Sequence, residues 1–152
     1  MKSLNQLILN FDYEQNFKDQ DFYVCDSNEN SFKLLNSWPN WKKNFVNIVG
    51  QKFSGKTHLV NIFLEKFKGI KIESNEFNNE SLKQIKIYEN IVIENFNDQI
   101  DENLFYTLFN IIEQDNKYLI LTSTIPIVEH MFKLNDLNSR SNNFLLSYIE
   151  KP

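Results

Sequence analysis

The sequence predicts an α/β fold in which a doubly wound sheet of about five parallel strands is flanked by helices. Short apolar, β-branched runs alternate with stretches of helical period, which is typical of strands buried between two helical layers. A turn that contains two of the three glycines separates the first of these strands from the next helix. The chain has 152 residues, of which 41% are hydrophobic, so we expect one core and one globular domain.

The elements follow one another in the order that such a fold requires. Residues 1–20 show no clear period and are interpreted as an extended arm, whereas residues 21–152 are interpreted as the core. A short helix is predicted before Pro39, which cannot continue a helix. The predicted strands are 44–49, 70–73, 90–95, 118–123 and 144–149, and the predicted helices are 28–38, 57–64, 81–85 and 101–114.

Residues 50–57, Gly-Gln-Lys-Phe-Ser-Gly-Lys-Thr, fit the phosphate-binding P-loop pattern G-x-x-x-x-G-K-[ST]. Glycine allows successive backbone N–H groups to point at a phosphate, and the next helix adds its positive N-terminus. We expect Lys56 to reach the β- and γ-phosphates and Thr57 to coordinate Mg²⁺; an ordinary glycine turn is the alternative. ATP or ADP is the predicted cofactor, bound by Gly50, Gln51, Lys52, Phe53, Ser54, Gly55, Lys56, Thr57 and His58.

A second candidate motif is the apolar run 91–93, which ends in Glu94 and Asn95. Glu94 is predicted to hold the Mg²⁺ shell, as the Walker B carboxylate of P-loop proteins does. Asn95 occupies the position where such ATPases usually carry a second acid, and an amide cannot take a proton at neutral pH. We therefore expect weak intrinsic hydrolysis and a nucleotide-gated switch. A buried strand that merely ends in glutamate is the alternative.

Arg140 is the only arginine among 16 basic residues. A single planar, always charged group in a lysine-rich chain indicates a special role, such as an arginine finger offered in trans to the γ-phosphate of a neighbour. A surface salt bridge is the alternative.

The composition excludes several other classes of protein. A net charge of −4 with dispersed lysines argues against direct specific DNA binding. The single cysteine, Cys25, excludes an intramolecular disulfide, and no apolar run is long enough for a signal peptide or membrane span. We expect a cytoplasmic protein with no membrane partner.

In the arm, segment 6–11 combines one amide with apolar anchors that can dock extended into a pocket, although an edge strand or a disordered arm fits as well.

Taken together, these motifs resemble the DnaA/Hda family of AAA+ P-loop ATPases, and its Hda-type members in particular. The resemblance implies that Val24 and Asn28 lie beside the nucleotide, that Thr124 is the sensor I residue and that Arg140 is a trans arginine finger. The matching segments are 22–28 on the adenine side, 38–41 in the linker, 55–59 in the P-loop, 104–110 in the helix after Walker B, 121–126 at sensor I and 136–140 around the finger.

In Hda-type proteins an N-terminal segment binds the DNA polymerase III β sliding clamp, and the clamp-bound protein promotes ATP hydrolysis by DnaA. The resemblance therefore implies clamp contacts from Gln6, Leu7, Leu9 and Phe11, DnaA as a partner, and self-association through the AAA+ interface. Two positions depart from the family: Cys25 replaces a glycine and Thr124 an acid. The chain also ends about where the family's helical lid begins, so we expect a core without a lid. A stand-alone ATPase or kinase and a degenerate AAA+ interaction module are the alternatives.

Overall fold

The computed structural model of the protein describes Val24 and residues 26–150. The predictions for arm 1–20, for its segment 6–11 and for Cys25 lie outside the described residues. Within the described part, no helix is long and apolar enough to cross a membrane.

Five strands form one sheet in the order β2-β3-β4-β1-β5, and every neighbouring pair is parallel. The strands are β1 (Phe45–Gly50), β2 (Ile70–Glu73), β3 (Asn90–Glu94), β4 (Tyr118–Ser123) and β5 (Leu145–Ile149). All residues of β1 and β3 are buried, as expected for apolar runs that are covered on both faces. The predicted parallel sheet of about five strands is confirmed.

The described helices are α1 (Glu29–Asn36), α2 (Lys56–Phe67), α3 (Asn79–Ile85), α4 (Glu102–Gln114) and α5 (Asn135–Arg140). The Asp101 carboxylate begins α4 by accepting from the backbone N–H groups of Asn103 and Leu104, at 3.0 and 3.2 Å. The six-residue helix α5 was not predicted as a helix, whereas the other four lie within two or three residues of their predicted bounds or extend them.

Helices cover both faces of the sheet, so the core has two parts. On one face, Ile91 and Leu119 of the sheet pack against Phe105 and Phe109 of α4. On the other face, Val92 and Ile120 pack in the same cluster as Phe63 of α2. Alternate residues of β3 and β4 therefore point to opposite layers, which is the doubly wound α/β arrangement that the sequence predicts.

The strand order brings distant parts of the chain together at the carboxyl ends of the strands. β1 lies between β4 and β5, whereas the chain leaves β1 through α2 and returns at β2, the far edge. The order therefore reverses beside β1, and in open α/β sheets ligands bind at the carboxyl ends of the strands near such a point. Near this point β1 ends at Gly50, β3 at Glu94 and β4 at Ser123.

Candidate nucleotide site

The loop between β1 and α2 needs glycine at both of its predicted positions, for two different reasons. A Cβ atom on Gly50 would lie 2.5 Å from Ser54 Oγ and 3.1 Å from the backbone oxygen of Ile149, so there is no room for one. Gly55 has space around it but adopts φ 102°, in the left-handed region that side chains rarely tolerate. The loop then enters α2 at Lys56, which places the helix N-terminus at the cleft described below.

The Lys56 ammonium folds back onto the loop. Its Nζ donates to the backbone oxygen of Gly50 and, at 2.9 Å, to that of Gln51. Burial lowers the pKa of Lys56 from its ordinary value, and the negative charge of Glu94 partly opposes this effect. The ammonium is therefore held by carbonyl oxygens that phosphate oxygens could replace.

Glu94 lies beneath the loop, at the end of β3, with only 1% of its surface exposed. Its Oε1 accepts from the Thr57 hydroxyl at 3.1 Å, and its Oε2 accepts from the Thr122 hydroxyl at 3.3 Å. The structure thus brings together the two residues, Thr57 and Glu94, that the sequence predicts for Mg²⁺. Thr122 was missed, although a hydroxyl near the end of the apolar run 118–121 was a usable signal.

This donor set fits a magnesium ion that is shared with phosphates. Mg²⁺ usually keeps several waters and takes only one or two protein ligands together with phosphate oxygens. A hydroxyl and a carboxylate 3.1 Å apart meet that requirement. In the part of the chain that the structure describes, no group of three or more His, Cys, Asp or Glu side chains could hold a metal by itself.

Asn95, the residue after Glu94, is fixed from two sides. Its φ of 59° is left-handed, a conformation that asparagine adopts more readily than most residues, and its backbone N–H donates to Thr122 Oγ1 at 2.9 Å. Its side-chain Nδ2 donates to Glu73, at 2.9 Å to Oε1 and 3.3 Å to Oε2. Sequence reasoning did not include Glu73, because its place beside β3 depends on strand order.

An open cleft of about 810 Å³ lies above these residues. Six of the nine predicted loop residues line it, together with Asn95 and the predicted sensor Thr124. Gly50, Gln51 and Ser54 are not among the lining residues, and neither are Val24 and Asn28. Val24 instead packs against the apolar cluster under α2, and Asn28 is buried before α1. The cleft is lined by Lys52, Phe53, Gly55, Lys56, Thr57, His58, Asn95, Phe96, Asn97, Ser123 and Thr124.

The turn that carries Thr124 is tied to the sheet by Asn47, a buried amide in the middle of β1. Its Nδ2 donates to the backbone oxygen of Leu121 at 3.1 Å and to Ser123 Oγ at 3.0 Å. Its Oδ1 accepts from the backbone N–H of Ile127 at 2.8 Å. The position of the cleft wall after β4 therefore depends on a side chain of the neighbouring strand.

Arg140 lies away from this cleft, at the end of α5, where it contacts α4. Its guanidinium pairs with Glu113 at 2.9 Å and Asp136 at 3.3 Å and lies over the rings of Tyr106 and Phe109. Only 14% of its side chain is exposed. Arg140 thus connects α5 to α4 through its ion pair with Glu113; its action on a neighbouring molecule stays a prediction.

The chain thus has a parallel α/β sheet, a P-loop sequence between β1 and α2 and a carboxylate beneath that loop, and its fold is similar to that of solved DnaA structures. The sequence matches no protein-family model and no curated protein. The structure is similar to AMPPCP-bound DnaA from Aquifex aeolicus, with 19% identity, a TM-score of 0.74 and coverage of 87% of this chain and 49% of that one.

Two further structures extend the comparison. Domain III of DnaA from Thermotoga maritima has 18% identity and a TM-score of 0.68, with coverage of 90% of this chain and 68% of that one. A DnaI structure has 13% identity and a TM-score of 0.66, and 88% of each chain is covered. The chain therefore spans about half the length of the Aquifex DnaA structure and most of the DnaI structure. At these identities the likeness concerns the fold.

Proposed function

We propose that this protein is a nucleotide-binding AAA+ regulator of replication initiation. The observation that carries the proposal is the contact between Thr57 and Glu94, at 3.1 Å, directly beneath a P-loop in a DnaA-like fold. The AMPPCP in the Aquifex DnaA structure supports an adenine nucleotide as the ligand.

Different groups of the chain would bind different parts of the magnesium-bound nucleotide. The backbone N–H groups of the loop and the N-terminus of α2 attract phosphate oxygens. Lys56, which now contacts the carbonyl oxygens of Gly50 and Gln51, would exchange them for phosphate oxygens. Thr57 and Glu94 would hold the magnesium ion. When bound, Mg²⁺ neutralises part of the negative charge on the phosphates.

Retention of labelled ATP or ADP by the purified protein tests this step. We expect Lys56→Ala to abolish retention, because this ammonium, held on the loop carbonyl oxygens, is the charged group that the P-loop pattern directs to the outer phosphates. Lys83→Ala is the matched control, since Lys83 is an exposed lysine on α3 that pairs with Glu80 at the surface. Equal retention by all three proteins would contradict nucleotide binding at this site.

The finer part of the proposal is an Hda-type role. Segment 6–11 would bind the β sliding clamp through Gln6, Leu7, Leu9 and Phe11, and Arg140 would be offered to ATP that DnaA holds. The hydrolysed nucleotide then belongs to the partner, which suits a domain with an amide at position 95. Loss of clamp binding in a Gln6→Ala, Leu7→Ala double variant is the expected result of a pull-down; unchanged binding would count against it.

Arg140 can act in trans only if it leaves its partners on α4 and α5. We expect Arg140→Lys to lose stimulation of ATP hydrolysis by DnaA on clamp-loaded DNA, because lysine lacks the planar, bidentate group. Glu113→Gln weakens the intramolecular pair while keeping the arginine, so it should retain or increase stimulation. If both variants lose activity in parallel with their stability, Arg140 is a structural tie between helices and the finger role is wrong.

A further inference from the structure

Asn95 and Glu73 form a pair that the predicted function does not use. In register, Glu73 of β2 lies opposite Glu94 of β3, so the residue after Glu94 emerges beside the Glu73 carboxylate. The Asn95 amide donates to both of its oxygens, at 2.9 and 3.3 Å. The pair therefore joins the edge strand to the floor of the cleft.

The chemistry of the pair fixes which way the amide faces. A carboxylate can only accept hydrogen bonds, so the Nδ2 group of Asn95 must face Glu73 and its Oδ1 must face away. Among the described residues, none donates to that oxygen. Asn95 lines the cleft together with Lys56 and Thr57, whereas Glu73 does not line it.

The main chain of Asn95 is held as firmly as its side chain. Its backbone N–H bonds to Thr122 Oγ1, and this hydroxyl also donates to Glu94. The Asn95 amide oxygen is thus placed relative to the same carboxylate that approaches Thr57 beneath the P-loop. A fixed acceptor on a residue that lines the same cleft as Thr57 can orient an attacking water by accepting a hydrogen bond from it.

We propose that Asn95 orients the water that hydrolyses ATP bound to this chain, and that Glu73 is the positioning residue that holds the amide. This inference rests on the proposed nucleotide binding. The water oxygen forms a bond to the γ-phosphorus as the bond from that phosphorus to the β,γ-bridging oxygen breaks. ADP and inorganic phosphate result, and one proton of the water passes to a phosphate oxygen because an amide cannot accept it.

Such a site hydrolyses ATP slowly, at a rate that depends on how the water is oriented. Without a general base it lacks the roughly 10²–10⁴-fold contribution that proton transfer to a side chain provides. Asn95, held by Glu73, still orients the water, so these two residues set the lifetime of the ATP-bound state. The nucleotide state of the proposed regulator would then be timed by its own site.

The test measures binding and a single turnover separately. Wild type, Glu73→Gln and Asn95→Ala are loaded with labelled ATP and Mg²⁺, and both the Kd and the rate of phosphate release are determined. We expect an unchanged Kd and a rate about tenfold to a hundredfold lower in both variants, because the amide loses its fixed direction or is absent. Glu76→Gln is the control, since Glu76 is an exposed acid just after β2.

A swapped pair separates positioning from simple structural support. In the double variant Glu73→Gln with Asn95→Asp, the donor and the acceptor are exchanged, so the group in the cleft is again held by its neighbour. We expect its rate to return to the wild-type value or above. Because the new carboxylate can itself accept a proton, the reference is the single variant Asn95→Asp, in which it faces Glu73 without a donor. If Glu73 had no positioning role, the single and double variants would hydrolyse ATP at the same rate.

A measurement without nucleotide examines the geometry directly. The side-chain NH₂ resonance of Asn95, assigned by its loss in Asn95→Ala, should shift in Glu73→Gln and stay unchanged in Glu76→Gln. If Glu73→Gln retains ATP and hydrolyses it at the wild-type rate, the positioning role is wrong while nucleotide binding stands. If the wild type retains no nucleotide, the proposed function fails, and this inference fails with it.

Discussion

At the scale of single residues, the candidate site contains two left-handed residues other than glycine, Asn95 and Phe53, and their surroundings differ. Asn95 has φ 59° and bonds to both Thr122 and Glu73, so its conformation is supported by its surroundings. Phe53 has φ 63° in the P-loop, and its side chain is 98% exposed. A bulky residue in this region is strained, and here no buried contact within the described residues compensates for it.

We therefore expect Phe53→Gly to stabilise the protein slightly. The left-handed conformation costs about 1–2 kcal/mol for a residue with a Cβ, whereas glycine adds about 0.5–1 kcal/mol of chain entropy. The expected gain in the free energy of unfolding is roughly 0.5 kcal/mol, measured by urea denaturation. Phe53→Ala is the control, because it removes the ring but keeps the strain. An equal gain in both variants would assign the effect to the exposed ring.

The lowered pKa of His130 predicts that the free energy of unfolding depends weakly on pH in the acid range. Burial lowers the pKa of His130, and the charges of Asp98 and Glu129 oppose this effect only in part. Its ring meets that of Phe96 edge-on, with centroids 4.7 Å apart. The unfolded chain then binds a proton at a higher pH than the folded one, so stability falls as the pH drops below about 6.5.

Urea denaturation between pH 5 and 8 measures this effect of His130. We expect the loss below about pH 6.5 to be smaller in His130→Phe, which keeps an aromatic ring beside Phe96 and cannot titrate. Identical pH profiles for the variant and the wild type would assign the loss to other groups.

At the scale of elements, the central strand β1 and the turn after β4 depend on each other through Asn47. This side chain is fully buried and makes three hydrogen bonds, one of them to the backbone N–H of Ile127. Leucine of similar volume would leave that buried donor without a partner, and an unsatisfied buried group costs about 1–3 kcal/mol. The turn also carries Thr124 into the cleft wall.

We expect Asn47→Leu to lower the free energy of unfolding by about 2–3 kcal/mol and to weaken nucleotide retention. Asn44→Ala is a matched control, because Asn44 precedes the same strand and bonds to the backbone oxygen of Lys117 at a more exposed position. Its expected cost is about 1 kcal/mol, with retention unchanged. Equal effects of the two changes on retention would show that the turn is held by other contacts.

The elements that the sequence predicted are those with a strong local pattern. The strands 44–49, 90–95 and 118–123 and the helix 101–114 are long apolar or amphipathic segments, and the structure has them as β1, β3, β4 and α4. Helix α5 was missed because it has six residues with only Leu137 buried, and its place depends on Arg140 reaching α4. Local periodicity contains no information about such a contact.

Some residues of the candidate site could likewise be predicted from local sequence patterns, and others could not. Thr57 and Glu94 belong to motifs of fixed spacing, so they could be paired without a structure. Glu73 and Asn47 could not, because their hydrogen bonds cross to a neighbouring strand, and the strand order decides which strands are neighbours. The Thr122 hydroxyl was a usable signal, but its pairing with Glu94 also depends on that order.

At the scale of the whole molecule, the nucleotide site connects elements that are far apart in sequence. The loop follows β1, Glu94 ends β3, Ser123 ends β4 and Thr124 comes directly after it. Both apolar clusters pack against these same strands. A ligand held between these elements therefore binds only the folded sheet, so its binding free energy opposes global unfolding rather than the opening of one loop.

This coupling predicts the size of the thermal effect. A nucleotide present at about 100 times its Kd stabilises the folded state by about 2.7 kcal/mol. For a chain of this length, about 2–4 °C of Tm corresponds to each kcal/mol, so Mg²⁺ and ADP should raise the Tm by roughly 5–11 °C. Differential scanning calorimetry with and without the nucleotide measures the shift.

Two variants separate the contributions of the loop and the metal to that shift. Lys56→Ala should show no shift, because the phosphates lose their charged partner. Glu94→Gln should keep a smaller shift that no longer responds to Mg²⁺, because the amide is a weaker ligand for a hard cation than the carboxylate that contacts Thr57. A full shift in Lys56→Ala would place the nucleotide elsewhere on the molecule. A magnesium response in Glu94→Gln equal to the wild type would remove Glu94 from the metal site while leaving the loop in place.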